Sequence, residues 1–193
     1  MTKKIVLAVS GASGAVYAVE IARHILAANA ELYITLTKQA LQILESELGF
    51  SSFKDALGDA PNMENLHEFK DDDFFAPIAS GSFGFDAMAV APCSANTIGK
   101  LAYGVADNLL CRTAAVALKE KRKLVLLLRE TPLSLPLLKS CATLAQAGAL
   151  IMPACPAFYS NEQSFADLVN FVVGKTLAAL DIPQNLLKEW NGK

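Results

Sequence analysis

The sequence predicts a three-layer α/β fold, in which helices cover both faces of a doubly wound parallel sheet of the Rossmann-like or flavodoxin-like kind. Short apolar runs alternate along the chain with longer segments of helical periodicity. Strands that read as continuous apolar runs are typical of parallel sheets, because helices bury both faces. No internal repeat and no linker-like stretch interrupts the 193 residues, so we expect a single domain spanning 1–193.

The expected strands are the apolar runs themselves. They are KIVLAVS (4–10), ELYITLT (31–37), a short NLHEF (65–69), AMAVAP (87–92), LVLLL (124–128) and ALIMP (149–153). Helical sequence fills the gaps between them, at 11–26, 38–50, 95–121 with a break near Gly104, 136–148 and 164–180. Asp107 is the expected N-cap of the helix after that break, and Gly148 has the position of a C-terminal capping glycine.

Composition excludes several classes of function. A net charge of −2 and a pI near 5.7 give no electrostatic basis for binding nucleic acid. No apolar run reaches the ~18 residues needed to cross a bilayer, and Lys3-Lys4 leads into a strand rather than a signal peptide. We therefore expect a cytoplasmic protein that binds neither nucleic acid nor membrane. The 53% hydrophobic content argues against disorder and for surface buried in the sheet or between subunits.

Cysteine and histidine usage gives no indication of a metal site. The four cysteines are isolated from one another, at Cys93, Cys111, Cys141 and Cys155. This spacing favours reduced thiols over disulfides or zinc ligands. Because the chain has only His24 and His67, a histidine-rich metal site is excluded.

The fold class also predicts where the functional site lies. In open parallel sheets, ligands bind beyond the carboxyl ends of the strands, near the point where the strand order reverses. Polar, small or glycine-flanked residues follow the expected strands: Ser10 to Gly14, Thr37-Lys38, Pro92 to Thr97, Arg129-Glu130 and Pro153 to Tyr159. We expect these strand ends to form one ligand site.

The first of these ends, SGASGA (10–15), joins a strand to a helix. Gly11 and Gly14 allow a tight turn, and the helix N-terminus offers N–H groups to an anion. The stretch is neither G-x-G-x-x-G nor a P-loop. Thr37-Lys38 stands where a dinucleotide site would place an acidic residue and suits a phosphate, so FMN is favoured over NAD(P). A tight turn without a ligand is the alternative.

The next clear strand ends in PCSANT (92–97), with Ser94 and Thr97 beside a helix start. Hydroxyl and N–H groups converge at such a start, and an isolated N-cap is the alternative explanation. Two polar strand ends that face each other favour a ligand contact.

Three cations are predicted to meet at one crevice. Arg112 and Lys119 are seven residues apart on one face of an otherwise apolar helix, and Arg129 follows at a strand end. Together they suit a phosphate ester. The alternative is snorkelling and salt bridges at the rim, which fits residues 121–123 well and Arg112 poorly.

Two carboxylates are candidate general acids or bases: Glu130, beside Arg129, and Glu47, at the end of the second helix. A simple ion pair is the alternative at a strand end. The last strand end adds the aromatic hydroxyl of Tyr159. Aromatic residues at 74, 75 and 83 bracket IASGS (78–82), which predicts an apolar pocket wall beside a glycine turn or, alternatively, ordinary core.

Four stretches together resemble the flavin prenyltransferases of the UbiX/Pad type, within the flavoprotein group that includes phosphopantothenoylcysteine decarboxylase. They are VSGASGAVY (9–17), APIASGSF (76–83), the block from APCSANT to RETPLS (91–134) and GALIMPACPAFY (148–159). These stretches extend over most of the chain, and the long block is the most specific.

The resemblance implies an activity and an assembly. The activity is metal-independent transfer of a dimethylallyl group from dimethylallyl phosphate to N5 and C6 of reduced FMN. The product, prenylated FMN, is the cofactor of a UbiD-type decarboxylase. The assembly is a large homo-oligomer, a dodecamer by family resemblance, with FMN at a subunit interface and the C-terminal helix and tail (about 164–193) packed on a neighbouring subunit.

The resemblance also assigns site residues by position. FMN contacts are expected at Gly11, Ala12, Ser13, Thr37, Ser94, Ala95, Asn96, Thr97 and Arg112. Contacts to dimethylallyl phosphate are expected at Ser80, Gly81, Ser82, Lys119, Arg129, Tyr159 and Lys175. The catalytic residues are expected to be Ser13, Glu47, Glu130 and Lys119, with Glu130 as the proton donor or acceptor.

The chain departs from the family's usual pattern at several positions: Ala115 replaces a common Asp, Leu137 a common His, Asn96 a frequent Lys, and Ser140-Cys141 a common Asn-Met. Two alternative functions stay open. An FMN-dependent decarboxylase of the phosphopantothenoylcysteine type normally needs an early active-site His, and neither His24 nor His67 is expected at a strand end. The other alternative is a non-catalytic flavin carrier.

Overall fold

Six parallel strands form the sheet in this computed structural model, which describes residues 2–158 and 164–187. The strands are β1 (Lys4–Val9), β2 (Glu31–Leu36), β3 (Leu66–Lys70), β4 (Ala87–Cys93), β5 (Lys123–Leu128) and β6 (Leu150–Pro153). Their order across the sheet is β3-β2-β1-β4-β5-β6. All six predicted strands are thus confirmed, and the order is that of dinucleotide-binding domains, which reverses between β1 and β4.

Helices cover both faces of the sheet. They are α1 (Ala15–Ala27), α2 (Lys38–Leu48), α3 (Phe53–Leu57), α4 (Ala95–Ala102), α5 (Leu109–Lys119), α6 (Leu135–Gln146) and α7 (Phe165–Ala179). The first three helices and α7 share one core cluster with the sheet, and α4, α5 and α6 share the other. The three-layer, doubly wound architecture is therefore confirmed.

The two cores explain why the strands read as continuous apolar runs. Along β1, Ile5 and Leu7 face the α1 layer, whereas Val6 and Ala8 face the α5 layer. All four side chains are fully buried. Because each face of the sheet has its own helical layer, polar and apolar residues do not alternate along β1. Burying each Leu or Ile side chain contributes about 1.5–3 kcal/mol to the stability of the fold.

The break between α4 and α5 has a different cap from the one expected. Asn108, not Asp107, caps α5, and its side-chain oxygen accepts from the N–H of Cys111 at 2.8 Å. The Asp107 carboxylate instead pairs with Lys100 at 2.7 Å. The prediction of Asp107 was wrong because two adjacent residues both suit an N-cap, and the nearby ammonium group engages the carboxylate. The predicted role of Gly148 as a C-terminal capping glycine is confirmed. It has φ +101° and directly follows Ala147, the C-cap of α6.

Helix α3 was not predicted. The Ser52 hydroxyl accepts from the N–H of Asp55 at 3.1 Å, and Phe53 is fully buried in the core beside α1. Five residues are too few for helical periodicity to be visible in the sequence. The only available signal was the serine followed three residues later by an acid.

Within residues 2–158 and 164–187, no helix has both the length and the apolar character needed to cross a membrane.

Candidate functional site

The ends of β1 and β4 are joined by the hydroxyl of Ser10. This hydroxyl donates to the carbonyl oxygen of Pro92 at 3.0 Å and accepts from the N–H of Ser94 at 2.8 Å. Ser10 is 1% exposed, and its bond to Pro92 is buried, whereas its bond from Ser94 is partly buried. These bonds connect two segments across the point where the strand order reverses. One is the glycine turn, residues 10–14 between β1 and α1, and the other is the SANT segment, residues 94–97. The sequence placed Ser10 among the strand-end residues of the expected site but gave it no individual role.

The glycine turn between β1 and α1 lies against α2. A Cβ atom on Gly11 would approach the Cβ of Gln39 to 2.5 Å, closer than packing allows. Gly14 has φ +106°, and a Cβ there would lie 2.9 Å from the ring of Tyr17. Both glycines are therefore required by close approach, and the Tyr17 ring forms a wall of the turn that sequence reasoning did not identify. Burial raises the pKa of Tyr17, Cys155 adds to this rise, and Arg129 opposes it.

The N-terminus of α1 binds a carboxylate from the same chain. Glu47, in the last turn of α2, accepts from the N–H of Gly14 at 2.9 and 3.1 Å and from the N–H of Ala15 at 2.8 Å. Partial burial by itself would raise the pKa of Glu47. The Ser13 side chain, the N–H groups of Ala15 and Gly14, and the positive charge of Arg129 outweigh this and hold that pKa below its ordinary value.

Arg129 joins the same cluster from the end of β5. Its Nε donates to the carbonyl oxygen of Ser13 at 3.1 Å. We call Ser13, Glu47 and Arg129 the carboxyl-edge cluster. Glu130 follows at the same edge as an exposed side chain, and its Oε1 accepts from the N–H of Thr131 at 3.1 Å.

Two of the remaining predicted FMN contacts at this edge, Thr37 and Ser94, cap helices. The Thr37 hydroxyl accepts from the N–H of Ala40 at 3.1 Å and begins α2. The Ser94 hydroxyl accepts a hydrogen bond from the N–H of Thr97 at 3.2 Å. It also forms a hydrogen bond with the Thr97 hydroxyl at 3.0 Å. Ala95 and Asn96 form the first turn of α4, whose N–H groups have no partner within the helix. Ala12 is buried in the glycine turn.

A cavity of about 430 Å³ opens beside the end of β2. Its volume falls within the range of small-molecule sites. Leu36 and Leu41 supply apolar surface, and the charged lining is mixed, with Lys38 and Lys70 opposite Asp71, Asp72 and Asp107. Mixed charge does not single out a phosphate, so the phosphate role expected for Thr37-Lys38 stays a prediction.

A second group of predicted residues meets elsewhere. A Cβ atom on Gly81 would lie 3.2 Å from Nζ of Lys119 and would clash with the Glu120 carboxylate. Arg122 donates to the carbonyl oxygens of Gly81 and Phe83, each at 2.7 Å. The hydroxyls of Ser80 and Ser82 bond each other at 2.8 Å. We call Ser80, Gly81, Ser82 and Lys119 the amino-edge cluster.

The two clusters lie at opposite edges of the sheet. Lys119 precedes the start of β5 and Arg129 follows its end, and a six-residue strand is about 20 Å long. The prediction that all three cations converge on one crevice is therefore wrong within a single chain, because Lys119 and Arg129 lie at opposite edges. The reason is topological, because α5 begins at the carboxyl edge, where Leu109 N–H donates to the Asp71 carbonyl, and returns the chain to the amino edge.

The other two predicted cations lie at different edges of the sheet, Arg112 at the carboxyl edge where α5 begins and Lys175 at the amino edge. Arg112 is exposed in the first turn of α5, and its Nε donates to the Ala79 carbonyl at 3.0 Å. Lys175 is exposed near the end of α7, with Nζ 5.6 Å from the ring centre of Phe171. That end of α7 lies at the amino edge, since Lys3 donates to the carbonyl oxygens of residues 180 and 181. Tyr159 lies outside the described residues.

Cysteines and acids offer no metal centre among the residues that the structure describes, where no group of three or more potential ligands occurs. The four cysteines are free thiols, as expected. Burial raises the pKa of Cys93, and burial likewise raises the pKa of Cys111 to about 11. These thiols are therefore protonated near neutral pH.

Two of the departures from the family pattern lie in packed surroundings. Leu137 lies in α6, is 6% exposed and packs into the core between that helix and the sheet. Ala115 is partly buried and lines a cavity of about 350 Å³ that Lys119 also borders. A third, Asn96, is exposed at the carboxyl edge.

Known proteins resemble this chain over its whole length. The sequence model of the Flavoprotein family matches residues 1–177. The flavin prenyltransferase UbiX of Thermoplasma acidophilum is 38% identical over 192 residues, covering 97% of this chain and 99% of the relative.

Two solved structures have closely similar folds. AnUbiX (PadA1), crystallised in complex with FMN and dimethylallyl pyrophosphate, superposes with a TM-score of 0.91 at 34% identity over 100% of both chains. A dodecameric FMN-dependent UbiX-like decarboxylase from Escherichia coli O157:H7 gives a TM-score of 0.90 at 33% identity, covering 98% of this chain and 100% of that one. Given the strand order, the glycine turn and these full-length similarities, the chain belongs to the Flavoprotein family and, within it, to the UbiX-type flavin prenyltransferases.

Proposed function

We propose that this protein is a flavin prenyltransferase, which transfers the dimethylallyl group of dimethylallyl phosphate to N5 and C6 of reduced FMN. The observation that carries the proposal is the carboxyl-edge cluster, in which Arg129 and Glu47 meet at Ser13 beside the reversal of the strand order. Relatives named flavin prenyltransferases, 38% identical over nearly the whole chain, support it.

The residues at this edge fit a flavin mononucleotide. Gly11 and Gly14 let the turn after β1 pack closely against Gln39 and Tyr17, and the first turn of α4 offers N–H donors next to the Ser94 hydroxyl. Reduced FMN, when bound, supplies the nucleophilic nitrogen and carbon. The buried Ser10 hydroxyl holds the two binding segments at a constant separation, which favours a preorganised site.

The charges suit the proposed reaction. Breaking the allylic C–O bond leaves positive charge on carbon and negative charge on the phosphate. The Arg129 guanidinium is fixed through Nε by the Ser13 carbonyl, which leaves its other N–H groups to receive the phosphate. Glu130, next to it and exposed, is the residue we assign to proton transfer.

We also propose that two copies of the chain complete each site. Lys119, Lys175 and the Ser80–Ser82 turn lie at the amino edge, about one strand length from Arg129. A second copy that presents its amino-edge cluster to the carboxyl edge of the first would bring the cations together. A homo-oligomer is also the form of the dodecameric E. coli neighbour.

One experiment tests the activity. Purified protein is incubated without oxygen with reduced FMN and dimethylallyl phosphate, and the released flavin is analysed by mass and absorbance. We expect a flavin heavier by one dimethylallyl group and with a changed spectrum. Recovery of unmodified FMN alone would reject the proposal.

The structure favours neither alternative function. His24 lies in the last turn of α1 and His67 in β3, paired with Glu31, so neither is at the carboxyl edge where a decarboxylase would use it. The transfer of prenylated FMN to a UbiD-type decarboxylase and the cytoplasmic location stay predictions.

A further inference from the structure

The N-terminus of α1 is where domains with this strand order hold the diphosphate of a dinucleotide. Here a carboxylate of the same chain already lies there, because Glu47 accepts from the N–H groups of Gly14 and Ala15 at 2.8–3.1 Å. We infer that Glu47 is a specificity-determining residue, which closes this helix terminus to phosphate groups and restricts the site to a mononucleotide flavin. The inference rests on the flavin-binding function proposed above and defines which flavin is accepted.

The fold places Glu47 through both ends of α2. Near its start, Gln39 packs against Gly11, where even one added carbon would clash. In its last turn, Glu47 reaches Gly14, so α2 runs alongside the glycine turn. The helix then stops at Gly49, which has φ +77°. Glu47 is therefore held at the helix terminus by packing along α2 as well as by its own hydrogen bonds.

The carboxylate reproduces what a phosphate would offer. It is anionic, it accepts two backbone N–H donors and the Ser13 side chain, and it faces the positive charge of Arg129. A phosphate entering the same position would lose these donors and meet a like charge. The Glu47 side chain is accessible to solvent, so replacing it with Ala exposes the N-terminus of α1 without creating a cavity in the core.

Binding of oxidised flavins and of inorganic pyrophosphate tests this without any prenyl donor. Dissociation constants for FMN, FAD and metal-free pyrophosphate are measured by calorimetry on the assembled protein and on Glu47→Ala. The control is Glu45→Ala, which removes the same charge from the same exposed helix turn, and the Glu45 side chain makes no hydrogen bond to α1. We expect Glu47→Ala to bind pyrophosphate about tenfold more tightly and to lose about tenfold of its preference for FMN over FAD. The control should match the wild type.

The outcomes separate this inference from the proposed function. Equal pyrophosphate affinity and an equal FMN-to-FAD ratio in wild type and Glu47→Ala would overturn the role of Glu47, even if FMN binds well. A similar gain in Glu45→Ala would also overturn it, since a general charge effect would then suffice. If no variant binds FMN, yet pyrophosphate binding rises only in Glu47→Ala, the proposed flavin function is rejected. The inference that Glu47 blocks phosphate binding at the N-terminus of α1 is then still supported.

Discussion

The guanidinium of Arg129 donates from Nε to the carbonyl oxygen of Ser13, joining the end of β5 to the turn after β1. The two residues are 116 positions apart in the chain. Because the carbonyl engages Nε, the terminal N–H groups of the guanidinium keep a defined direction. This relationship makes Arg129 the best-placed cation of the carboxyl edge for an incoming phosphate.

Arg129→Lys is expected to lower the rate of flavin prenylation about 10²–10³-fold, because an ammonium group cannot hold the Ser13 carbonyl and a phosphate in the same geometry. The rate is measured without oxygen at saturating reduced FMN and dimethylallyl phosphate. Lys139→Ala, on the exposed surface of α6, serves as the control. An Arg129→Lys rate close to that of the wild type would contradict the assigned role.

Lys119→Ala and Arg129→Ala are each expected to be inactive alone and to recover activity when co-expressed in mixed oligomers. If a site takes Lys119 from one copy and Arg129 from another, random mixing leaves about a quarter of the sites intact. The matched control co-expresses Ser13→Ala with Arg129→Ala, which damage the same edge and should recover nothing. Absence of recovery in the first mixture would contradict the shared site.

Glu130→Gln is expected to lower the prenylation rate about 10²–10⁴-fold, since the amide keeps the shape but cannot transfer a proton. Its melting temperature should match that of the wild type, because the side chain is exposed and, within residues 2–158 and 164–187, bonds only the neighbouring N–H of Thr131. Unchanged activity would instead favour the flavin carrier.

Glu47 is expected to make stability depend on pH. Its folded-state pKa lies below the ordinary value of 4.5, so its stabilising contribution is fully present above that value and is lost as pH falls through the lower, folded-state pKa. The free energy of unfolding of the wild type should therefore exceed that of Glu47→Gln at pH 7 and approach it at pH 3. Denaturant titrations at both pH values measure this difference, and a gap that does not narrow on acidification would contradict it.

Ser10→Ala is expected to destabilise the protein by about 1–3 kcal/mol, because the partly buried N–H of Ser94 loses its acceptor. Urea denaturation compares it with Ser51→Ala, an exposed position where the change should stay within about 0.5 kcal/mol. FMN affinity should fall as well, since the turn after β1 and the SANT segment are no longer joined. Equal stability of the two variants would show that the hydroxyl does not join these segments.

The secondary structure was largely readable from local pattern. The apolar runs predicted all six strands, and Gly148 marked the end of α6. Exceptions arose where the signal was short or ambiguous, as at α3, with five residues, and at the adjacent capping candidates Asp107 and Asn108. Periodicity needs several turns to be visible, and two neighbouring caps differ only in their surroundings.

The sequence by itself determined the fold class, the carboxyl-edge location of the glycine turn and the family. Only the tertiary structure decided that Arg129 meets Ser13, that Glu47 caps α1 and that Lys119 lies at the opposite edge. Strand and helix patterns depend on neighbouring residues, which a sequence displays directly. The direction of a crossover helix and the partner of a carboxylate depend on the path of the whole chain, which brings residues 32 or 116 positions apart into contact.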